Sequence, residues 1–171
     1  MNPISLDAKL RALTPHEEIY KKKEGHYAFE NLPLRKHNGQ DVRVMDFSNS
    51  SFTENTSHDL IFIKKTSRFQ VCPMHIHNWI EINYMYSGRC PQIINGTSQV
   101  LETGQVILID TDTPHSTANL GYDDIMISLV INKQYLNSNF FNRFSTDSIV
   151  SSFFINAIAE NTSHDNYILF H

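Results

Sequence analysis

Residues 42–132 are cut into short runs of β-branched, aromatic and aliphatic residues, and turn residues recur between them. The runs at 42–47, 60–64, 69–74 and 81–86 are each one strand long and rich in strand-forming side chains. Gln92-Ile93-Ile94 and Ser98-Gln99-Val100-Leu101 flank Asn95-Gly96-Thr97, a sequence that predicts a tight hairpin. Residues 106–109 and 125–131 are almost wholly apolar and read as core strands. Many short strands with regular turn signals predict a mostly β fold, a sandwich or a barrel.

The flanks read as helical. Thr14-Pro15-His16-Glu17 fits a capping box with proline at the first helical position. The helix continues through Lys21-Lys22-Lys23, cations suited to its C-terminal end, and Gly25 is a natural stop. Residues 26–40 are turn-rich, with Pro33 and Asn38-Gly39. After Asn132 the pattern predicts a short helix over 133–141 and a second over 148–160 capped by Thr146-Asp147. Ile149, Val150, Phe153, Phe154, Ala157 and Ile158 would form its apolar face. Phe140-Phe141 and Phe153-Phe154 leave apolar area for contact with a second copy. The final apolar run, Tyr167-Ile168-Leu169-Phe170, has no predicted partner, so the chain reads as a module of a longer protein. The expected organisation is an N-terminal helical arm (1–40), a β-barrel (41–132) and C-terminal helices (133–171).

Charge excludes one class of function. The 171 residues carry a net charge of −4, and the only basic run is Lys21-Lys22-Lys23. A duplex-binding surface needs a broad basic footprint, so this chain by itself is not expected to bind DNA. No stretch of 18 apolar residues and no signal-type N-terminus is present, which argues for a cytoplasmic protein without a membrane span. Cys72 and Cys90 form no C-x-x-C pair and read as reduced thiols.

The candidate site is His75-Ile76-His77-Asn78-Trp79-Ile80-Glu81, with Gly88 downstream and His115 after Thr111-Asp112-Thr113-Pro114. Two residues apart on a strand, His75 and His77 share a face. Glu81 joins them only if the strand breaks near Asn78-Trp79, and His115 enters from a third strand. Three imidazoles and a carboxylate suit Zn, Ni, Mn, Fe or Co. The same groups equally suit a metal-free polar pocket. Trp79, Tyr84 and Tyr86 could stack on a ligand, with Trp79 at the mouth, although core packing also accounts for such aromatics. Asn119 is a pocket or turn residue, and Asp110 and Asp112 read as solvated turn carboxylates. His16, His26, His37, His58, His164 and His171 fall outside any ligand spacing.

These residues resemble the two motifs of the cupin superfamily. His75, His77, Glu81 and Gly88 match the first motif in spacing; Phe69 stands where a glycine is usual. Gly104, His115 and Asn119 match the second, with Asp110 and Asp112 in place of its proline and second glycine, so that turn is expected to differ in shape. The resemblance implies a double-stranded jelly-roll barrel.

About two thirds of the chain, from residue 60 to 171, further resembles the sensor domain of AraC/XylS-type transcription regulators. The segments carrying this are 75–88, Gly104-Gln105-Val106-Ile107-Leu108-Ile109, His115 and the helix pattern at 149–158. The resemblance implies a small-molecule effector, such as a sugar or related metabolite, bound in the barrel near His75, His77, Trp79, Glu81, Tyr84, Tyr86, His115 and Asn119. It also implies a homodimer, an N-terminal lid over 1–39, and DNA contact only through a C-terminal domain outside this chain. The rival expectation is a metal-dependent enzyme, a sugar isomerase or dioxygenase type, with Glu81 as base. Such an enzyme should close its last element, whereas a regulator should continue into helix-turn-helix units.

Overall fold

The structure, a computed structural model, describes residues 5–22, 29, 31–47, 60–142, 148–159 and 165–171. Lys23, Gly25, His26, His58, Thr146, Asp147 and His164 lie outside the described residues. Two helices come first, α1 (Leu6–Arg11) and α2 (Pro15–Lys22). Ten strands follow: β1 (Leu34–His37), β2 (Gln40–Val44), β3 (Ile61–Lys65), β4 (Cys72–Ile76), β5 (Trp79–Ser87), β6 (Arg89–Ile94), β7 (Thr97–Glu102), β8 (Val106–Ile109), β9 (His115–Thr117) and β10 (Ile125–Asn132). A 3-10 turn (Lys133–Tyr135), α3 (Ser138–Phe141), α4 (Ile149–Ile158) and β11 (Tyr167–Phe170) complete the order.

The strands form two sheets, ordered β1-β2-β4-β9-β6-β7 and β11-β8-β5-β10-β3, the jelly-roll arrangement expected. Turn chemistry sets the register. Asn95 and Gly96 both take positive φ (47° and 79°), and Ile94 pairs with Thr97 across the resulting two-residue hairpin. Asn38-Gly39 does the same (49° and 82°) and joins β1 to β2. The supposed N-terminal arm therefore reaches into the barrel sheet, and the expected boundary at residue 40 falls inside this hairpin.

The core has layers. Met85, Cys90, Ile94, Leu101, Ile107, Ile109, Leu120 and Met126 fill the space between the sheets. Ile80, Leu108, Ile131, Leu136, Phe153, Phe154 and Ala157 seal the outer face of the second sheet under α4. Burying Phe153 and Phe154 stabilises by roughly 2–3 kcal/mol each. Ile149 and Ile158 of the expected apolar face are exposed instead, as is Ile155, because α4 docks through its Phe153-Phe154-Ala157 side. Its cap is Ser148, whose Oγ accepts from Ser151 N at 3.0 Å. The helix expected over 133–141 is broken at Leu136-Asn137 into the 3-10 turn and α3. The last apolar run does have a partner: β11 pairs antiparallel with β8, Tyr167 opposite Ile109 and Phe170 opposite Val106.

The capping box is present and carries more than a cap. Thr14 N donates to Glu17 Oε2 (2.8 Å), and Glu17 N donates to Thr14 Oγ1 (3.2 Å). The Glu17 carboxylate is wholly buried and also receives Arg68 Nε (2.8 Å), Arg68 Nη2 (3.1 Å) and Lys65 Nζ (3.0 Å). Arg68 further donates to the carbonyls of Arg11, Ala12 and Tyr122, so one ion pair ties α1, α2 and the barrel together. Burial alone would raise the Glu17 carboxyl, but Arg68, the Thr14 amide and Lys65 outweigh it and hold its pKa at about 2.

One glycine of the cupin motifs, Gly88, has a steric reason. Gly88 has φ +76°, and a Cβ there would lie 2.9 Å from Asp124 Cα. Asp124 cannot yield, since its carboxylate accepts from Arg89 N and Gly121 N. Phe69 and Asp112, standing where glycines are usual, adopt the glycine-like φ themselves (63° and 55°). The second-motif turn thus keeps the left-handed geometry at Asp112, against the expectation of a changed shape.

Two outcomes are expected. Gly88→Ala should destabilise the fold by roughly 2 kcal/mol or more in urea unfolding, because backbone strain and a backbone contact add. The Glu17 pKa is depressed on folding, so its contribution is complete above the unfolded value near 4.5 and fades as pH falls toward 2. Unfolding free energy should drop across that window by up to about 3 kcal/mol more in the native protein than in Glu17→Gln.

Candidate functional site

The strand break expected at Asn78 is real: β4 ends at Ile76 and β5 begins at Trp79. His75 faces His115 across the β4–β9 pair, and Glu81 follows two residues into β5. His75, His77, Glu81 and His115 are all buried, with one ligand atom from each lying within 4.8 Å of all the others. The turn before β9 helps to hold the group together, since Asp112 N donates to the His77 carbonyl at 2.7 Å.

Second contacts decide which nitrogens face inward. Each Nδ1 lies 2.8 Å from a backbone carbonyl: His75 on Pro73, His77 on Trp79 and His115 on Thr113. A carbonyl can only accept, so each Nδ1 carries a proton, and in a neutral imidazole that leaves Nε2 as a lone pair. Burial, reinforced by the neighbouring imidazoles, pushes the His75 pKa well below its ordinary value. Burial also lowers that of His77, outweighing the opposing pull of Glu81. Burial would raise the Glu81 carboxyl, but hydrogen bonds from the imidazoles of His115 and His77, which need a proton on Nε2, dominate and hold it well below the usual range.

Neutral imidazoles facing an ionised carboxylate create a conflict. His77 Nε2 lies 2.9 Å from Glu81 Oε2, and His115 Nε2 lies 3.5 Å from the same oxygen. The His115 Nε2 is buried and has no hydrogen-bond partner among the described residues. Lone pairs set this close to a carboxylate oxygen repel unless a cation or an extra proton lies among them. The residues therefore fit a divalent transition metal held by His75, His77, Glu81 and His115, each imidazole oriented by an outer carbonyl. Bound there, such an ion would supply Lewis-acid chemistry to an oxygen ligand.

A cavity of about 380 Å³ opens beside this cluster, and His75, Glu81 and His115 line it. Cys72, Gln70, Thr117 and Lys64 add to its wall from the barrel, and His16 and Tyr20 from α2. His16, read from sequence as an ordinary histidine, is thus a wall residue; its i, i+4 spacing from Tyr20 is the signal. The Cys72 Sγ lies 3.4 Å from His75 Nδ1. Cys72 and Cys90 are free thiols, and burial pushes both pKa values up to about 12.

The other expected ligand residues are elsewhere. Trp79 is buried in the core against Phe47 and Phe62 and offers the site only its carbonyl, so it does not gate the mouth. Tyr84 and Tyr86 share the outer face of β5, opposite to Glu81. Tyr84 is exposed, and Tyr86 donates to Asp7 of α1 at 3.0 Å. Asn119 is exposed in the loop after β9. Asp110 is buried, with its Oδ1 accepting from Thr111 N, whereas Asp112 is exposed and paired with Arg35.

Residues 68–132 match the Cupin domain family, which agrees with the two-sheet jelly roll and the metal-type cluster. No curated protein matches the chain. Among solved structures, KdgF from Halomonas sp. is similar at 24% identity over 42% of this chain and 66% of that one, with a TM-score of 0.37. The DMSP lyase DddQ from Ruegeria pomeroyi DSS-3 is similar at 18% identity over 42% and 37% (0.36). ToxT from Vibrio cholerae is similar at 15% identity over 64% and 41% (0.41). The chain spans less than two thirds of the length of each. The fold is a cupin jelly roll, and these distant likenesses assign no activity.

Metal uptake is directly measurable. Protein purified without chelator or affinity nickel should hold about one divalent ion per chain by elemental analysis. His75→Ala and His115→Ala should each lose it, and Cys72→Ser should keep it.

Proposed function

We propose that this chain is the effector-sensing and dimerisation domain of an AraC/XylS-type cytoplasmic transcription regulator, with a small molecule bound in the cupin barrel beside the metal. The observation that carries the reading is the cavity's mixed wall. His75, Glu81 and His115 belong to the barrel, whereas His16 and Tyr20 belong to α2, outside it. A ligand at the cluster touches both. If it favours one placement of α2, it shifts the population of that placement, and this is what a sensor requires. The Glu17–Arg68 pair links α2 to α1 and to the barrel, a route by which the shift would spread. The sequence resemblance over residues 60–171 supports the same reading. Ile149, Ile155 and Ile158 on the exposed side of α4 are the surface for pairing two copies. DNA would be read by a domain outside this chain.

The second reading, a metal-dependent cupin enzyme of the isomerase or dioxygenase type, is favoured by the completeness of the four-residue cluster. One observation separates the two. In the regulator reading, the gene's reading frame runs on for about 100 residues with two helix-turn-helix patterns. A frame that stops near His171, or turnover of a sugar substrate by the metal-loaded chain, overturns it.

A further inference from the structure

The cavity's charge and unmet hydrogen bonds select a class of ligand. Phe62 and Lys64 share one face of β3, and Phe62 is buried in the core, so Lys64 also points inward. Its ammonium sits 4.8 Å from the Phe47 ring centroid at the cavity wall. That cation–π contact holds the lysine in place but does not neutralise it. Lys64 forms no ion pair among the described residues, whereas Lys65, also a wall residue, is consumed by Leu10, Ala12 and Glu17. Below it, a divalent ion held by His75, His77, Glu81 and His115 would leave the cluster net positive, so the loaded cavity would be positive at both ends in a chain whose overall charge is −4.

The barrel interior also carries amides without partners. Gln70 is more than nine-tenths buried, lines the cavity, and its Nε2 has no hydrogen bond among the described residues. Both polar atoms of Asn83, two residues past Glu81 on the inner face of β5, are buried and unpaired among the described residues. The same holds for Gln92, in register with the wall residue Thr117. A buried amide without a partner costs roughly 1–3 kcal/mol, so the Gln70 Nε2 donor at the cavity wall calls for an oxygen atom that accepts. The volume of about 380 Å³ lies at the small end of ligand pockets, the range of a small molecule.

We infer that the ligand of this cavity is a small hydroxylated carboxylate, its anionic end paired with Lys64 and its hydroxyl oxygens met by Gln70 and the metal-type cluster. This rests on the proposal that the cavity binds a small molecule. The test is calorimetric titration of the zinc-loaded chain with gluconate and glucuronate against sorbitol and glucose, with zinc content measured before and after. The two acids should bind at least about tenfold tighter than the neutral compounds. Lys64→Met should shrink that gap to within about twofold, and Lys64→Arg should preserve it. Gln70→Met should weaken acid and polyol alike. Equal affinity for acids and neutral compounds, or a gap untouched by Lys64→Met, overturns the anion assignment and leaves the sensing reading standing. Failure of all four compounds also overturns it, and the sensing reading is then decided by the reading-frame test.

Discussion

A strand sends successive side chains to opposite faces, and on β5 that period of two determines what the barrel holds. Trp79, Glu81, Asn83 and Met85 turn inward; Ile80 and Ile82 turn out beneath the C-terminal elements, with Tyr84 and Tyr86 beyond them. A slip of one residue would exchange the carboxylate for isoleucine and bring the tyrosines inside. The slip is blocked because both faces of this strand carry core. Met85 is locked among the residues between the sheets, and Ile80 beneath Phe153 and Phe154. The position of Glu81 beside three imidazoles is therefore a consequence of packing on both sides of one strand.

Burial then sets the chemistry. Removing His75 and His77 from water favours their neutral forms, while the carboxylate between the imidazoles stays ionised. The carbonyls of Pro73, Trp79 and Thr113 take the outer protons, so the lone pairs point at one another and at Glu81. Buried acceptors set this close together repel unless a cation or an extra proton lies among them, which is the physical basis for reading the cluster as a metal centre. The buried Glu17–Arg68 pair is the opposite case. There, opposite charges meet with full hydrogen bonding, and the pair stabilises the docking of α2 on the barrel rather than awaiting a ligand.

Much of this was legible from local sequence. Asn95-Gly96 specified a hairpin because both residues tolerate positive φ, and 106–109 was recognisable as a core strand from its unbroken apolar run. The four cluster residues were legible because their spacing and a strand break at Asn78 leave few ways to converge. Other features were hidden. Asn38-Gly39 carried the same hairpin signal, but its strands, Leu34–His37 and Gln40–Val44, are mostly polar and half exposed, so period-two patterning was faint. Phe69 and Asp112 concealed left-handed turns because neither is glycine. Tyr84, Tyr86 and Asn119 were attractive by residue type, yet their face or loop takes them out of the cavity.

By itself, the sequence determined the β-rich fold class, the hairpin at Asn95-Gly96, the capping box at Thr14 and the membership of the four-residue cluster. Each follows from interactions within a few residues or from a spacing that survives any reasonable strand arrangement. Only the tertiary structure decided that His16 and Tyr20 form a cavity wall with Lys64 and Gln70, and that Tyr167–Phe170 is a strand on β8. It also decided that Glu17, a helix-capping residue, is the buried partner of Arg68. These depend on segments 44–64 residues apart meeting through a particular packing of helix on barrel and strand on strand, for which no short-range pattern in the chain is a substitute.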